Sequence, residues 1–598
     1  MNSSGGKILL RECKQDIMTK TIAIVQARVG SKRLPGKILM RLAEKSIVEH
    51  TLSALQQCHN VDAIYLATGS GPENYPLKEI SQRLGVNIFL GSEDDVLQRF
   101  WDVVEQEKKA GNVYDNIVRI CADSPFIDTE EVDRLIEAHE QHHADLSINY
   151  NHPTGLPCGF GVEVISFDAL KESVELAEKD EHHEHLDEWI LQHPQKYCIY
   201  QHPVAKEKQS YRIYFTIDTP DDFVFMEGVV NEVLEKKRTF KPLDLLNAVR
   251  QKPQLLSPRK MKLFVRADGN GEIGMGHIMR SLTVCAALKE SIPKLEVTYY
   301  TTAPALEIVR KNKFDVALFQ ESTMQHEIID KNPDFIIIDL RKHLDDLSSR
   351  PLNRALKVRF IDSEIAREIR GDLIINSFPL PQWPHQNYYS GLQYLPLRQE
   401  FSQLPPKQLR KEVKKITIAL GGGDQLGEEK PGALILKLLS VLQDFPLQVT
   451  IILGSAMNRE AVEKIKRYSS PRSNIHILHD AENIPTLFYE TDIGISAGGN
   501  TILEFARCEV PTISISLDYD TTHKDHQQYY CKAMEEAGAS IYLGHADDWD
   551  PQRLREMLKE LINNSSRRRE MATRGRALID DHIREKISML ILNAYTQG

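Results

Sequence analysis

Short apolar runs alternate with longer stretches of mixed polarity along most of the chain. The run from Thr21 to Ala27 is rich in Ile and Val and ends in a loop bearing Gly, Lys and Arg, which predicts a buried β-strand. Further strand-like runs at Ala63 to Ala67, Asn87 to Leu90 and Asn116 to Ile120 alternate with helix-like stretches such as Ile47 to Gln57 and Val96 to Lys109. Such alternation predicts an α/β unit with a mainly parallel sheet.

Around Arg250 to Lys260 the chain turns polar and carries two prolines, and a new strand is expected at Lys262 to Arg266. Beyond this boundary the pattern restarts twice. Strands are expected near Thr298 and at Phe335 to Asp339, Arg359 to Asp362 and Leu373 to Asn376, then again from Lys415 to Leu420. The Pro- and charge-rich stretch from Gln382 to Lys415 reads as a link between two Rossmann-like halves. The expected fold class is therefore α/β: a Rossmann-like domain with a mixed, mainly parallel sheet over residues 20–255, then a two-lobed unit with lobes at 261–400 and 412–598.

A length of 598 residues suits several cores of the usual size. With 74 basic against 85 acidic side chains the chain is net acidic, which argues against a general nucleic-acid binder or a protein of anionic membrane surfaces. Eight scattered cysteines without a CxxC pair read as reduced thiols. Residues 1 to 20 lack the apolar core of a signal peptide and no later segment is apolar for the length of a membrane span, so a cytoplasmic protein without membrane insertion is expected.

Candidate chemistry begins in the loop Gln26-Ala-Arg-Val-Gly-Ser-Lys-Arg-Leu-Pro-Gly-Lys37, where Arg28, Lys32, Arg33 and Lys37 surround Gly30 and Gly36. Glycines let backbone N–H groups approach phosphate oxygens, and the cations offset charge growing on a pyrophosphate leaving group. The spacing is not that of the GxxxxGK[ST] P-loop. Gly91-Ser-Glu-Asp-Asp-Val-Leu97 and Arg119-Ile-Cys-Ala-Asp-Ser-Pro-Phe-Ile-Asp128 follow in order. Together these motifs resemble the spore-coat-polysaccharide type of cytidylyltransferase, a family similar to the CMP-Kdo and CMP-sialate synthetases, over about residues 20 to 250.

The resemblance implies Mg²⁺ held by Asp123 and Asp218, CTP and a sugar acid as substrates, and a homodimer through the N-terminal domain. It also implies attack by a sugar hydroxyl on the α-phosphorus, with Arg28 and Lys37 stabilising the leaving charge, Lys32 and Arg33 assisting, and Glu163 on the sugar side. The cluster Glu181-His-His-Glu-His185 lacks the HExxH spacing of a zinc site and reads as a solvated helix face. Relatives usually carry Arg-Glu-His there and use it at the sugar site, which makes Glu184 and His185 candidates; this chain has His183-Glu184-His185.

In the second half, Arg266-Ala-Asp-Gly-Asn-Gly-Glu-Ile-Gly-Met-Gly-His-Ile-Met-Arg280 leads from a strand into the helix-like Ser281 to Leu288. His277 sits where loop meets helix, a place from which an imidazole can act as a general base near neutral pH. Asp339-Leu-Arg, Asp362-Ser-Glu, Ile375-Asn-Ser-Phe, Tyr394-Leu-Pro-Leu-Arg-Gln-Glu-Phe401, Gly421-Gly-Gly-Asp424 and Ala497-Gly-Gly-Asn-Thr-Ile-Leu-Glu504 follow. This order resembles the UDP-sugar hydrolase of pseudaminic acid synthesis, a GT-B relative of the lipid II-forming N-acetylglucosaminyltransferase.

That resemblance implies a catalytic His277, with Asp268 orienting the imidazole or the water. It implies a diphosphate held by Gly421, Gly422, Asp424, Gly498, Gly499 and Thr501, and ribose hydroxyls bound by Glu504. No metal is required for this half. Where family members usually have Asn-Gln, the chain reads His523-Lys-Asp-His-Gln527, with His526-Gln527 standing in. The expectation is a bifunctional enzyme of nonulosonic acid or surface polysaccharide synthesis that hydrolyses a UDP-diacetamido sugar and forms a CMP-sugar. Two alternatives stay open: a glycosyltransferase in the second half, or one half that only binds nucleotide.

Overall fold

Among the described residues, each of the three larger sheets has a central strand buried on both faces. The structure is a computed structural model that describes residues 19–270, 275–340, 354–361, 371–378, 387–421, 430–454, 457–479, 481, 483–517 and 526–598. The chain forms two compact units, one ending at Leu255 and taking in Thr596–Gly598, the other running over Leu256–Tyr595.

The first unit holds a seven-stranded sheet in the order Asn87–Gly91, Ala63–Gly69, Thr21–Gln26, Asn116–Cys121, Glu163–Ser166, Leu146–Ile148, Ile199–Gln201. Thr21–Gln26 pairs in parallel with both neighbours, while Glu163–Ser166 runs antiparallel to Asn116–Cys121. Ala23 and Val25 pack in one core with Val48 and Leu52, and Ile22 and Ile24 in another with Phe100 and Val103. Burial on both faces explains why this strand reads as a continuous apolar run instead of an alternating one. Helix Val96–Lys109 starts where the Asp95 carboxylate accepts from the Gln98 N–H at 2.8 Å and ends on Lys108 and Lys109, a polarity that suits the helix dipole. Its buried Phe100 is worth about 3–5 kcal/mol against truncation to Ala.

The second unit carries two fully parallel sheets. The first runs Asp315–Leu318, Leu295–Thr301, Met261–Ala267, Phe335–Asp339, Leu356–Ile361, Leu373–Asn376, Tyr388–Ser390. The second runs Ile475–His479, Gln448–Leu453, Lys415–Ala419, Ile493–Ala497, Thr512–Ser516, Ser540–His545. In each sheet the connection reverses direction beside its first strand, and such switch points are where open α/β sheets bind ligands.

Two segments differ from the expected layout. The stretch read as a link adds the edge strand Tyr388–Ser390 to the first sheet and buries Phe401 in the short helix Gln399–Ser402, because its apolar residues are spaced too sparsely to announce themselves. The last helix, Ile583–Gln597, was expected with the second lobe but packs on the first: the Tyr595 and Phe335 rings lie 4.8 Å apart and Arg584 pairs with Glu290 at 2.6 Å. Among the described residues no helix is long and apolar enough to cross a membrane.

Candidate functional site

In the first unit the site forms at the switch point between Thr21–Gln26 and Asn116–Cys121. Asp123 lies in the turn just past Asn116–Cys121, and its carbonyl accepts the Ile217 N–H at 3.1 Å, which brings Asp218 alongside. Asp218 itself precedes helix Pro220–Leu234, whose start is fixed by reciprocal bonds between Thr219 and Asp222. Lys37 closes the set: its ammonium donates to Asp123 at 2.7 Å and to Asp218 at 2.8 Å. Arg33 adds a second cation 2.9 Å from Asp218. Burial works to lower the Lys37 pKa, but the charges and hydrogen bonds of Asp123 and Asp218 outweigh it and hold the lysine above its ordinary value.

These groups line a cleft of about 990 Å³ together with the cations Arg28, Lys32, Arg99 and Arg119 and the carboxylates Glu93, Asp94 and Asp95. Among the described residues no group of three or more His, Cys, Asp or Glu is disposed to hold a metal. The chemistry of the pair nevertheless suits Mg²⁺, which takes one or two carboxylates and completes its shell with substrate oxygens and water. Asp123 and Asp218 already share one cation in the Lys37 ammonium.

The sugar-side candidates separate. Glu184 and His185 line the cleft, with Glu184 at 4.0 Å from Arg28. Glu163 does not reach it: it is buried, accepts from Arg119 at 3.0 and 3.1 Å and from the Tyr150 hydroxyl, and so holds Arg119 in place. A strand residue opposite an arginine across an antiparallel pair is drawn into an ion pair, and Arg119 is its register partner. Burial, with Glu163 adding to it and Arg119 opposing, pushes the neighbouring Asp187 carboxyl up to about 7. Of the histidine cluster, His182 turns inward to Gln192 at 3.1 Å and His183 pairs with Asp95 at 2.8 Å, so the run is neither a zinc site nor a simple solvated face. Arg99 and Asp95 escaped the sequence reading, although both belong to the segment following Gly91.

In the second unit His277 opens helix Gly276–Ser291, after the strand Met261–Ala267, and Asp339 ends the adjacent strand Phe335–Asp339. His277 Nδ1 lies 2.7 Å from Asp339 Oδ1. A carboxylate can only accept, so Nδ1 carries the proton of this hydrogen bond. Arg280, one turn along the helix, donates to Asp339 through Nε at 2.8 Å and Nη2 at 2.5 Å. Burial would raise the Asp339 pKa, but Arg280 and then His277 hold it below the ordinary carboxylate range.

Asp268, expected to orient the imidazole or the water, is paired elsewhere. Its carboxylate is taken by Arg266, with one bond at 2.7 Å, because the two side chains sit two residues apart at the end of one strand. The carboxylate on the imidazole is that of Asp339, a motif residue given no role from the sequence.

In the second lobe, Gly499 has φ 109°, a conformation closed to most side chains, and caps helix Asn500–Arg507. A Cβ on Gly498 would fall 2.3 Å from the Gln527 carbonyl oxygen, so only glycine fits there. The helix start, with Thr501 in its first turn, leaves backbone N–H groups for an anion. Gly421 adopts φ 100° at the facing loop; Gly422 and Asp424, like Asp362 and His523, lie outside the described residues. Glu504 receives Arg398 at 2.9 and 3.2 Å, both on Oε1, a partner that sequence reading missed. Burial raises the Glu504 pKa, Arg398 opposing. Gln527, read as a stand-in at the nucleotide site, accepts the Leu517 N–H at 3.0 Å through its side chain.

Two family models match the chain: cytidylyltransferase over residues 22–255, and the glycosyltransferase family 28 C-terminal domain over residues 422–585. Spore coat polysaccharide biosynthesis protein SpsF of Bacillus subtilis is 30% identical over 226 residues, 37% of this chain and 90% of that protein. Spore coat polysaccharide biosynthesis protein SpsG of the same organism is 22% identical over 355 residues, 56% of this chain and 99% of that protein. CMP-N,N'-diacetyllegionaminic acid synthase of Legionella pneumophila is 28% identical over 128 residues, 20% of this chain and 53% of that protein. With the Lys37, Asp123 and Asp218 cleft in its first unit, the chain belongs to the cytidylyltransferase family, fused in one polypeptide to a second unit like the family 28 glycosyltransferases.

Proposed function

We propose that the first unit transfers the cytidylyl group of CTP to a sugar acid. The carrying observation is the Lys37 ammonium shared by Asp123 and Asp218 at the edge of a cleft lined by Arg28, Lys32 and Arg33. A sugar hydroxyl oxygen attacks the α-phosphorus, the bond to the β-phosphate oxygen breaks, and pyrophosphate leaves with that bond's electron pair. Arg28, Lys32 and Arg33 gather the triphosphate, and Lys37 offsets the charge developing on the leaving group. Asp123 and Asp218 would hold Mg²⁺, which when bound neutralises phosphate charge and orients the reacting oxygens. The likeness to a CMP-diacetyllegionaminic acid synthase supports a nine-carbon sugar acid as acceptor.

For the second unit we infer that a UDP-sugar lies between the lobes, its diphosphate on the Gly498–Thr501 turn, a ribose hydroxyl on the free oxygen of Glu504, and the sugar toward His277. The Asp339–His277 pair would take a proton from the attacking oxygen as UDP departs. Water as attacker makes the unit a hydrolase of a UDP-diacetamido sugar, such as pseudaminic acid synthesis uses. The family 28 match favours the second reading, in which an acceptor hydroxyl attacks and the sugar is transferred. Incubation with CTP, Mg²⁺ and a panel of sugar acids, followed by pyrophosphate release, tests the first unit. UDP release from UDP-sugars with no acceptor present separates the two readings of the second, since a strict transferase releases none.

A further inference from the structure

Between the His277 pair and the glycine turn of the second lobe runs a row of buried polar contacts that the proposed reaction does not itself use. Besides its bonds to Asp339, Arg280 turns Nη1 toward Ser377 Oγ at 3.3 Å. Ser377 sits just past strand Leu373–Asn376 in the first lobe, and its hydroxyl meets the Tyr530 hydroxyl at 2.6 Å. Tyr530 belongs to the other lobe, on helix His526–Glu536. Three residues before it on that helix, the Gln527 carbonyl fills the space beside Gly498. One helix therefore touches the turn proposed for the diphosphate and, a turn later, the network around the base.

Ser377 and Tyr530 are 2% and 1% exposed, so water cannot replace their bond without entering the core. The orientation of the Arg280 guanidinium decides how Asp339 is shared. Its Nη2 lies 2.5 Å from Asp339 Oδ1, the oxygen that His277 Nδ1 also uses, and 3.2 Å from Nδ1 itself. Without Ser377 the guanidinium loses one of the contacts that set how it shares that oxygen with the imidazole.

We propose that Tyr530 is a positioning residue supplied by the second lobe: its hydroxyl fixes Ser377, Ser377 fixes Arg280, and Arg280 leaves Asp339 aligned on His277. The inference rests on His277 being the base of the second unit. It makes the base competent only when the lobe that carries the glycine turn is seated against the lobe that carries the base.

The test is a double-mutant cycle of Tyr530→Phe and Ser377→Ala in the full chain. Tyr530→Phe keeps the ring that packs edge-on to Phe378 and removes only the hydroxyl. For UDP release from a UDP-sugar, each single variant should lower kcat by about three- to tenfold, the scale of one hydrogen bond. KM should stay within about twofold, and the double variant should be no slower than Ser377→Ala alone. Additive losses, or a change confined to KM, would overturn the proposal. A readout independent of turnover is the ring ¹⁵N spectrum of UDP-bound protein labelled at histidine, with His277 identified by His277→Gln. Both single variants should shift the His277 resonances alike; unmoved resonances reject the role of Tyr530. Should the wild-type chain release UDP from no UDP-sugar, the hydrolase reading of the second unit falls, and the ring spectra still decide on Tyr530.

Discussion

The Lys37 ammonium lies 2.7 Å from the Asp123 carboxylate, so a residue of the basic loop and a residue at the end of a strand share one charge centre. Asp218 completes it at 2.8 Å. In Asp123→Ala the lysine keeps Asp218, and the fold should hold. Pyrophosphate release should fall by at least about 100-fold, the scale of losing a preorganised charge at the reacting phosphate. Retention of activity in a variant with an unchanged melting temperature would show that Asp123 stands outside the chemistry.

The same cluster sets an alkaline limit. Burial disfavours the Lys37 charge, yet Asp123 and Asp218 raise its pKa above the ordinary 10.5. A raised lysine contributes stability that is complete below the unfolded pKa and is lost as pH rises through the higher folded value. Between neutrality and pH about 10 this contribution should be constant, and it should fade above that. Lys37→Met should lack this alkaline loss, which thermal melts of both chains at a series of pH values would reveal.

Asp187 predicts a second pH dependence with the opposite chemistry. Its carboxyl moves from an ordinary 3.8 to about 7, through burial first and the nearby Glu163 charge second, with Arg119 opposing. The folded chain therefore holds a proton that the unfolded chain releases, and stability falls as pH rises from about 4 to about 7. Asp187→Asn should flatten that slope and melt higher than wild type at pH 8. A parallel slope in the variant would mean that another group carries it.

These two cases show what the sequence disclosed and what it hid. The strand Thr21–Gln26 was legible because burial on both faces leaves an unbroken apolar run, and Lys37, Asp123 and Asp218 because ordered motifs flank them. The Glu163–Arg119 pair was hidden because it comes from an antiparallel register between Asn116–Cys121 and Glu163–Ser166, and Asp187 because burial in the folded chain drives its shift; no local pattern encodes either. The same holds for Asp268 and Asp339. Proximity in sequence favoured Asp268 as the partner of His277, yet Arg266 is nearer to it, and the parallel pairing of Phe335–Asp339 with Met261–Ala267 delivers Asp339 from 62 residues away. The edge strand Tyr388–Ser390 went unseen because three residues are too few for a period to register.

Glu504 should show a conflict between stability and binding. Burial raises its pKa, and the nearby Glu400 adds to this while Arg398 offsets it. Its ionised form is thus a cost to the folded chain that grows as pH rises through the raised value. Glu504→Gln keeps an acceptor for Arg398 and removes the charge, so the ligand-free chain should melt higher at pH 8. UDP affinity should drop by about tenfold as the ribose loses a charged acceptor. Calorimetric titration with UDP and a thermal melt on the same sample check both; tighter UDP binding in the variant would remove Glu504 from the site.

The Asp339–His277 pair makes the sharpest claim about the second unit. His277→Gln removes the base and should cut UDP release from a UDP-sugar by about 100-fold or more. UDP affinity should stay near wild type, since the nucleotide groups lie in the other lobe. Asp339→Asn is the more telling variant. Its amide can donate to Nδ1 and so favour the tautomer whose proton sits on Nε2, the nitrogen that must accept. The side chain keeps its shape but also loses the charge that Arg280 requires at 2.5 and 2.8 Å, so some loss of stability should accompany the loss of rate. The two effects separate by temperature: well below the melting transition the fold is intact, and a rate deficit that persists there belongs to the tautomer. If Asp339→Asn releases UDP at the wild-type rate under those conditions, the imidazole does not act through Nε2, and the second unit cleaves its substrate by another group.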